Sequence, residues 1–140
     1  MTQALVSDAS VAIGWVHPGQ ATALSTAILD AVADGAIVEV PALWPLEVAN
    51  ALLVLTRRGK LSERERHTGL GWLRALPVRV DHDAAAIALS TLSETAAANN
   101  LSVYDATYLE LAQRRKLPLA CVDGPLRKAA QRCGVRLWTP

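Results

Sequence analysis

The sequence predicts an α/β fold: a parallel β-sheet of about five strands with helices on both faces. Two observations predict it. Short apolar runs alternate with longer helical stretches along the whole chain. Cap and stop residues punctuate those stretches, among them Ser62, Gly35, Gly59 and Gly134. Strands that are separated by helices need crossover connections. Crossovers make neighbouring strands parallel, with a right-handed path.

The elements follow in order. Residues 4–8 (Ala-Leu-Val-Ser-Asp) are a first strand, and Ser10 is placed to cap a short helix to Val16. Residues 21–33 are helical, and Gly35 is their stop. Residues 37–40 are a second strand, ended by Pro41. A long helix covers 43–58, with Pro45 tolerated in its first turn and Gly59 beyond its end. Ser62-Glu63-Arg64-Glu65 fits a capping box and opens a helix to Leu76. Residues 78–80 are a third strand. Asp83 caps a helix to Ala98, which Asn99-Asn100 stop. A helix over 104–115 precedes a fourth strand at 119–122. Pro125 opens a helix to Arg132, Gly134 ends it, and 135–138 are a short final strand.

The 140 residues suffice for one compact domain, 1–140. Ala, Leu and Val dominate and Phe is absent, so small aliphatics and four Trp make the core. Net charge is +1, so bulk charge neither favours nor excludes a nucleic-acid partner. Cys121 and Cys133 form no zinc-type set and read as thiols of a reducing compartment. No run reaches the roughly 18 to 20 apolar residues of a membrane span, and no leader pattern opens the chain. The expected location is cytoplasmic, with no membrane partner. His17, His67 and His82 lack ligand spacing, and no HExxH, phosphate-binding Gly-rich loop or Ser/His/Asp set is present.

Four acids carry the chemistry: Asp8, Glu47, Asp105 and Asp123. Asp8 and Asp123 each follow a strand, at the edge where open α/β sheets bind ligands. Each acid also has an ordinary explanation. Asp8 and Asp123 suit turns, and Glu47 and Asp105 suit helix N-termini. Glu47, however, sits among Leu46, Val48, Ala49, Leu52 and Leu53, where a carboxylate needs a partner. Asn50 lies on the same helix face as Glu47. Converging carboxylates repel one another, and a hard cation such as Mg²⁺ removes that penalty. Asp81 and Asp83 are a rival pair, with Asp83 read as a cap. Most of the other acids fall on solvent faces.

Three blocks resemble the PIN domain. Val6-Ser7-Asp8-Ala9-Ser10 is similar to its opening strand and Asp-x-Ser turn, and Glu47 to Leu52 to its Glu-x-x-Asn helix. Tyr104 to Ala112, followed by Leu119 to Ala130, is similar to its third and fourth acidic blocks. The order holds over essentially the whole chain, and the size is like that of VapC-type toxin ribonucleases. The resemblance implies a PIN-like fold and an endoribonuclease dependent on Mg²⁺ or Mn²⁺, the toxin of a toxin–antitoxin pair. Asp8, Glu47, Asp105 and Asp123 carry over as the acidic site, with Ser10 and Asn50 as accessory groups. A homodimer and an antitoxin that blocks the site are also implied. One departure stands out. The family places Thr two residues before the last Asp, where this chain has Cys121, a much weaker hydrogen-bonding group.

The expected reaction is hydrolysis of a phosphodiester bond by a metal-activated water, leaving 5′-phosphate and 3′-hydroxyl ends. Asp8 and Asp105 are the expected main ligands, and Glu47 and Asp123 act directly or through water. Arg127 and Lys128 are the nearest candidates for RNA phosphate. Arg57-Arg58-Gly59-Lys60 and Arg114-Arg115-Lys116 end helices, where cations are favoured anyway. The apolar helix 43–58 is a candidate partner contact. Two alternatives remain open: a PIN-like module that binds RNA or protein without cutting, and another Mg²⁺-dependent phosphotransfer domain. The latter wants a Lys after a late strand, and Lys60, Lys116 and Lys128 do not supply one.

Overall fold

The computed structural model of the protein describes residues 3–140. Its sheet has four parallel strands in the order β3-β2-β1-β4. They are β1 (Ala4–Ser7), β2 (Ile37–Pro41), β3 (Val78–Asp81) and β4 (Leu119–Ala120). The expected fifth strand shrinks to a single parallel bridge, Leu119 to Leu137. The cause lies in β4. With only two residues in the ladder, it offers little for a further strand to pair with. The fourth strand itself stops at Ala120 rather than 122, because β1 ends opposite it and the chain turns at once into a helix.

Among the described residues, eight α-helices flank the sheet. They are α1 (Ala9–Val16), α2 (Ala23–Ala33), α3 (Leu43–Arg57), α4 (Glu63–Ala75), α5 (Ala84–Ile87), α6 (Ser93–Asn99), α7 (Val103–Arg115) and α8 (Gly124–Arg132). Helix α1 packs on α2, α3 and α4, while α7 packs on α6, α8, β1 and β2. The chain steps outward from β1 to β2 to β3, then returns past β1 to make β4. The strand order therefore reverses between β1 and β4, and a crevice opens at such a point.

Several local expectations hold. Ser62 and Glu65 form the capping box of α4, and Gly35 has φ +104°, the left-handed backbone a helix stop requires. Others change. Ser10 does not cap α1. The helix starts one residue after the strand turn, so Asp8 occupies the cap position and Ser10 falls inside the first turn. The predicted helix from Asp83 to Ala98 is broken by a π-helical turn, Ala88–Leu92, between α5 and α6. Asp83 stands at the start of α5 but makes no side-chain capping bond.

The core matches the composition in its aliphatics, but of the four Trp only Trp44 is buried in it, while Trp15 and Trp138 are partly buried. Leu5, Val6, Val38, Val40, Leu52, Leu109, Leu111, Leu119 and Leu126 are all buried. Trp44 joins them, while Trp72 is exposed and meets Trp15 edge-on, with ring centroids 6.2 Å apart. Helix α4 approaches α1 at Gly69, where a Cβ would lie 2.4 Å from Cγ1 of Val16. Cys121 is buried and Cys133 partly so, and both are free thiols. No helix among the described residues is long and apolar enough to cross a membrane.

Candidate active site

The four acids come from four elements, and the sheet edge draws them together. The amide of Asp8 donates to the carbonyl of Ala120 at 3.0 Å, which joins the ends of β1 and β4. Asp8 follows β1 and caps α1, and Asp123 follows β4 and caps α8. Asp105 lies in the first turn of α7, whose cap is Ser102. Glu47 lies in the first half of α3.

Their electrostatics show the convergence. Asp8 is buried, and its pKa is pushed up to about 6. Burial is the main cause. Hydrogen bonds from Ser10 and Val11 oppose it, and the nearby charges of Asp105 and Asp123 add to it. Asp105 is also raised, first by burial and then by Asp123, against the stabilising bond with Ser102. The hydroxyl of Tyr108 donates to Oε1 of Glu47 and is held above its ordinary range. Burial comes first there, followed by the bond to Glu47 and the charges of Glu47, Asp8 and Asp105. Asp8, Asp105 and Asp123 are thus mutually felt, and Tyr108 links Glu47 to them. Among the described residues, no Lys, Arg or His forms an ion pair with any of the four.

The rival pair has the opposite character. The guanidinium of Arg114 grips both oxygens of Asp81, at 2.9 Å each, and Arg115 adds a third contact at 3.0 Å. Arg114 also pairs with Glu110 and reaches Asp83. These bonds hold Asp81 well below the usual carboxylate range. Cations already neutralise Asp81, so it has no need of a metal. The same network explains Arg114 and Arg115, which bind acids of their own chain rather than standing free for RNA.

The carboxylates keep oxygens free for a divalent ion. Ser10 donates to Oδ1 of Asp8 at 2.7 Å, and the amide of Val11 approaches the same oxygen at 3.4 Å. The amide of Leu126 donates to Oδ2 of Asp123 at 2.9 Å. In Asp8, Glu47 and Asp123 alike, the second carboxylate oxygen has no protein donor among the described residues. Each has an oxygen left to offer. Among the described residues, however, no group of three or more His, Cys, Asp or Glu side chains is placed to hold a metal ion. Mg²⁺ keeps several waters and takes one or two carboxylates plus substrate phosphate, so one or two of these free oxygens suit it.

The remaining residues take clear places. Ser10 holds one oxygen of Asp8 by its hydroxyl. Asn50 is exposed one turn beyond Glu47. Arg127 donates from Nη1 to the carbonyl of Cys121 at 3.0 Å, and Lys128 is exposed beside it. The Cys121 thiol is pushed up to about 12, mainly by burial, and stays protonated. It is therefore a poor metal ligand. Tyr108 was not foreseen from sequence. Its spacing of three from Asp105 on one helix was the available signal. A cavity of about 720 Å³ lies between α2 and residues 138–140 and contains none of the four acids.

Comparisons with known proteins agree with this architecture. The family model of the PIN domain matches residues 5–131. A search among curated proteins finds no match. Among solved structures, the chain is similar to PAE2754 from Pyrobaculum aerophilum, with a TM-score of 0.67 and 19% identity, over 91% of this chain and 79% of that one. It is similar also to FitAcB from Neisseria gonorrhoeae, with a TM-score of 0.64 and 18% identity, over 96% of each chain. At these identities the two structures speak for the fold. The family model spans nearly the whole chain and all four acids, and the chain belongs to the PIN domain family, whose members are in general nucleases.

Proposed function

We propose that the protein is an endoribonuclease dependent on Mg²⁺ or Mn²⁺ and acts as the toxin of a VapC-type toxin–antitoxin pair. One observation carries the proposal. Three mutually repelling carboxylates, Asp8, Asp105 and Asp123, meet at the crevice between β1 and β4, and none of them forms an ion pair with a cation among the described residues. Such an arrangement calls for an external positive charge.

Asp8 and Asp105 are the main ligands. Asp8 presents Oδ2 while Ser10 and Val11 hold Oδ1. Tyr108 orients Glu47, which acts directly or through water. Asp123 caps α8 with one oxygen and offers the other. Asn50 lies one turn from Glu47, within reach of a water held there. Arg127 and Lys128 receive a neighbouring phosphate of the RNA. When bound, the ion polarises a phosphoryl oxygen and lowers the pKa of a water. The products carry 5′-phosphate and 3′-hydroxyl ends. Family likeness supports a homodimer, with an antitoxin covering the site.

The test is RNA cleavage with added Mg²⁺ or Mn²⁺. Asp8→Asn and Asp105→Asn abolish it on this reading. Undiminished metal-dependent cleavage by either variant overturns the assignment. A non-cleaving module predicts RNA binding with no products at any metal concentration.

A further inference from the structure

A cluster of the opposite charge lies at the other end of β4 from Asp123. Helix α7 closes on Lys116, and the chain then enters β4 at Leu119. Residues 136–138 run beside that entry. The amide of Leu119 donates to the carbonyl of Arg136 at 2.9 Å, and the amide of Trp138 donates to the carbonyl of Leu119 at 2.9 Å. The backbone thus brings two exposed cations, Lys116 and Arg136, to one edge. With Leu117 they form a ridge shared by two hollows of about 370 and 270 Å³, and all three residues line both. No Asp or Glu among the described residues lines either hollow. Neither cation forms an ion pair among the described residues, whereas Arg114 and Arg115, just before Lys116, are held by Asp81.

We propose that Lys116 and Arg136 form a second phosphate contact, which grips the RNA strand some nucleotides away from the bond that is cut. The inference deepens the nuclease reading and rests on it for the identity of the strand. Two unpaired cations in acid-free hollows attract an anion, and phosphates are the anions a nucleic acid presents in series. Helix α8 joins this ridge to the acids. It begins at its cap Asp123, and Gly134 and Val135, just past its end, line the 370 Å³ hollow. Its nine residues span about 14 Å. Leu126, Ala129 and Ala130 are its buried side. Lys128 and Arg132, one turn apart, are exposed on the opposite side. Beyond its cap the helix carries no acid. A strand that leaves the acids along α8 therefore meets cations as far as the ridge.

An acidic protein segment would also be drawn to two cations. Two observations favour a nucleic acid. The cations of α8 continue the ridge toward the carboxylates, a course that suits a strand whose own phosphate is the one cut. Trp138 walls the smaller hollow and offers an aromatic surface to a base.

The test uses the full chain and fluorescein-labelled RNAs of about 3 and about 20 nucleotides, the shorter unable to span α8 from the acids to the ridge. Anisotropy reads binding without metal, where nothing is cut, over a range of salt. Lys116→Ala/Arg136→Ala is expected to keep the melting temperature and the Mn²⁺ affinity of the wild type. At about 50 mM salt it is expected to bind the longer RNA roughly 10- to 100-fold more weakly, with a slope of log affinity against log salt shallower by about 1.4. With Mn²⁺ its KM for the longer RNA is expected to rise by the same factor while kcat is unchanged, and cleavage of the shorter RNA is expected to stay at the wild-type level. The charge-conserving pair Lys116→Arg/Arg136→Lys is expected to restore binding. Wild-type affinity and salt slope in the double-alanine variant overturn the inference, and so does an equal loss for both lengths. Loss of the dimer with RNA affinity unchanged also overturns it, since the ridge then serves a protein interface. Inorganic phosphate and a mononucleotide are titrated alone by calorimetry. Saturable binding of either that the double-alanine variant abolishes assigns the ridge to a free phosphate ligand and overturns the strand. Ridge-dependent RNA binding with no cleavage by either metal retains the contact and overturns the nuclease reading.

Discussion

Asp8 concentrates the tension at this site. Its folded pKa is raised from 3.8 to about 6, so the fold prefers it protonated. The stability tied to this preference is fully present below about pH 4 and is lost as pH rises through about 6, an effect of about 3 kcal/mol. The metal-free protein should therefore melt at lower temperature at pH 7.5 than at pH 5. Asp8→Asn keeps an oxygen for Ser10 and Val11 and removes the charge. It should raise the melting temperature of the metal-free protein at pH 7.5 and abolish the stabilisation that Mn²⁺ gives the wild type, both read by thermal melts with and without the ion. Mn²⁺ should also bind the wild type more weakly as pH falls below 6, because proton and ion compete for one carboxylate. Tyr108 acts one step back. Tyr108→Phe frees Glu47 and should weaken Mn²⁺ binding by about 10-fold or more, measured by calorimetric titration. An unchanged affinity would mean that Glu47 needs no orientation.

Elements hold the site through two contacts remote in sequence. Arg114 at the end of α7 ties that helix to Asp81 at the end of β3. Removing the guanidinium leaves buried Asp81 with Arg115 and the amide of Asp83, so Arg114→Ala should cost about 1–3 kcal/mol, read by urea unfolding. Asp81 is depressed in the fold, so its contribution is present above about pH 4 and lost as pH falls below it, the opposite sense to Asp8. The second contact is the approach of α4 to α1 at Gly69. Gly69→Ala drives a methyl into Val16 and should cost roughly 1–3 kcal/mol, and the added Val16→Ala change should recover most of it. The difference between these elements shows what a sequence exposes. The capping box of α4 and the stop at Gly35 are written in adjacent residues and were legible. The Arg114–Asp81 clamp spans 33 residues, and the Tyr108–Glu47 bond spans 61. Neither leaves a local mark. The π-helical turn at Ala88–Leu92 likewise falls within an ordinary helical pattern.

At the scale of the molecule, topology makes a site from acids that each have a plain local explanation. Asp8 and Asp123 cap helices, and Asp105 sits where a helix favours a carboxylate. Those duties are real. The order β3-β2-β1-β4 brings them to one crevice, where their charges meet. The alternation of strands and helices was readable from the chain, and the neighbourhood of Asp8, Asp105 and Asp123 followed from it. The length of the last strand was not, because strand ends depend on what lies alongside them. The openness of the acid cluster was not, because it depends on where each carboxylate turns. The central claim is that these acids share one divalent ion. Anomalous diffraction from crystals soaked in Mn²⁺ tests it most directly. The account predicts a manganese peak about 2.0–2.2 Å from carboxylate oxygens of Asp8 and Asp105, absent from Asp8→Asn crystals. A manganese peak only elsewhere on the molecule, or full occupancy in the Asp8→Asn crystals, would contradict it.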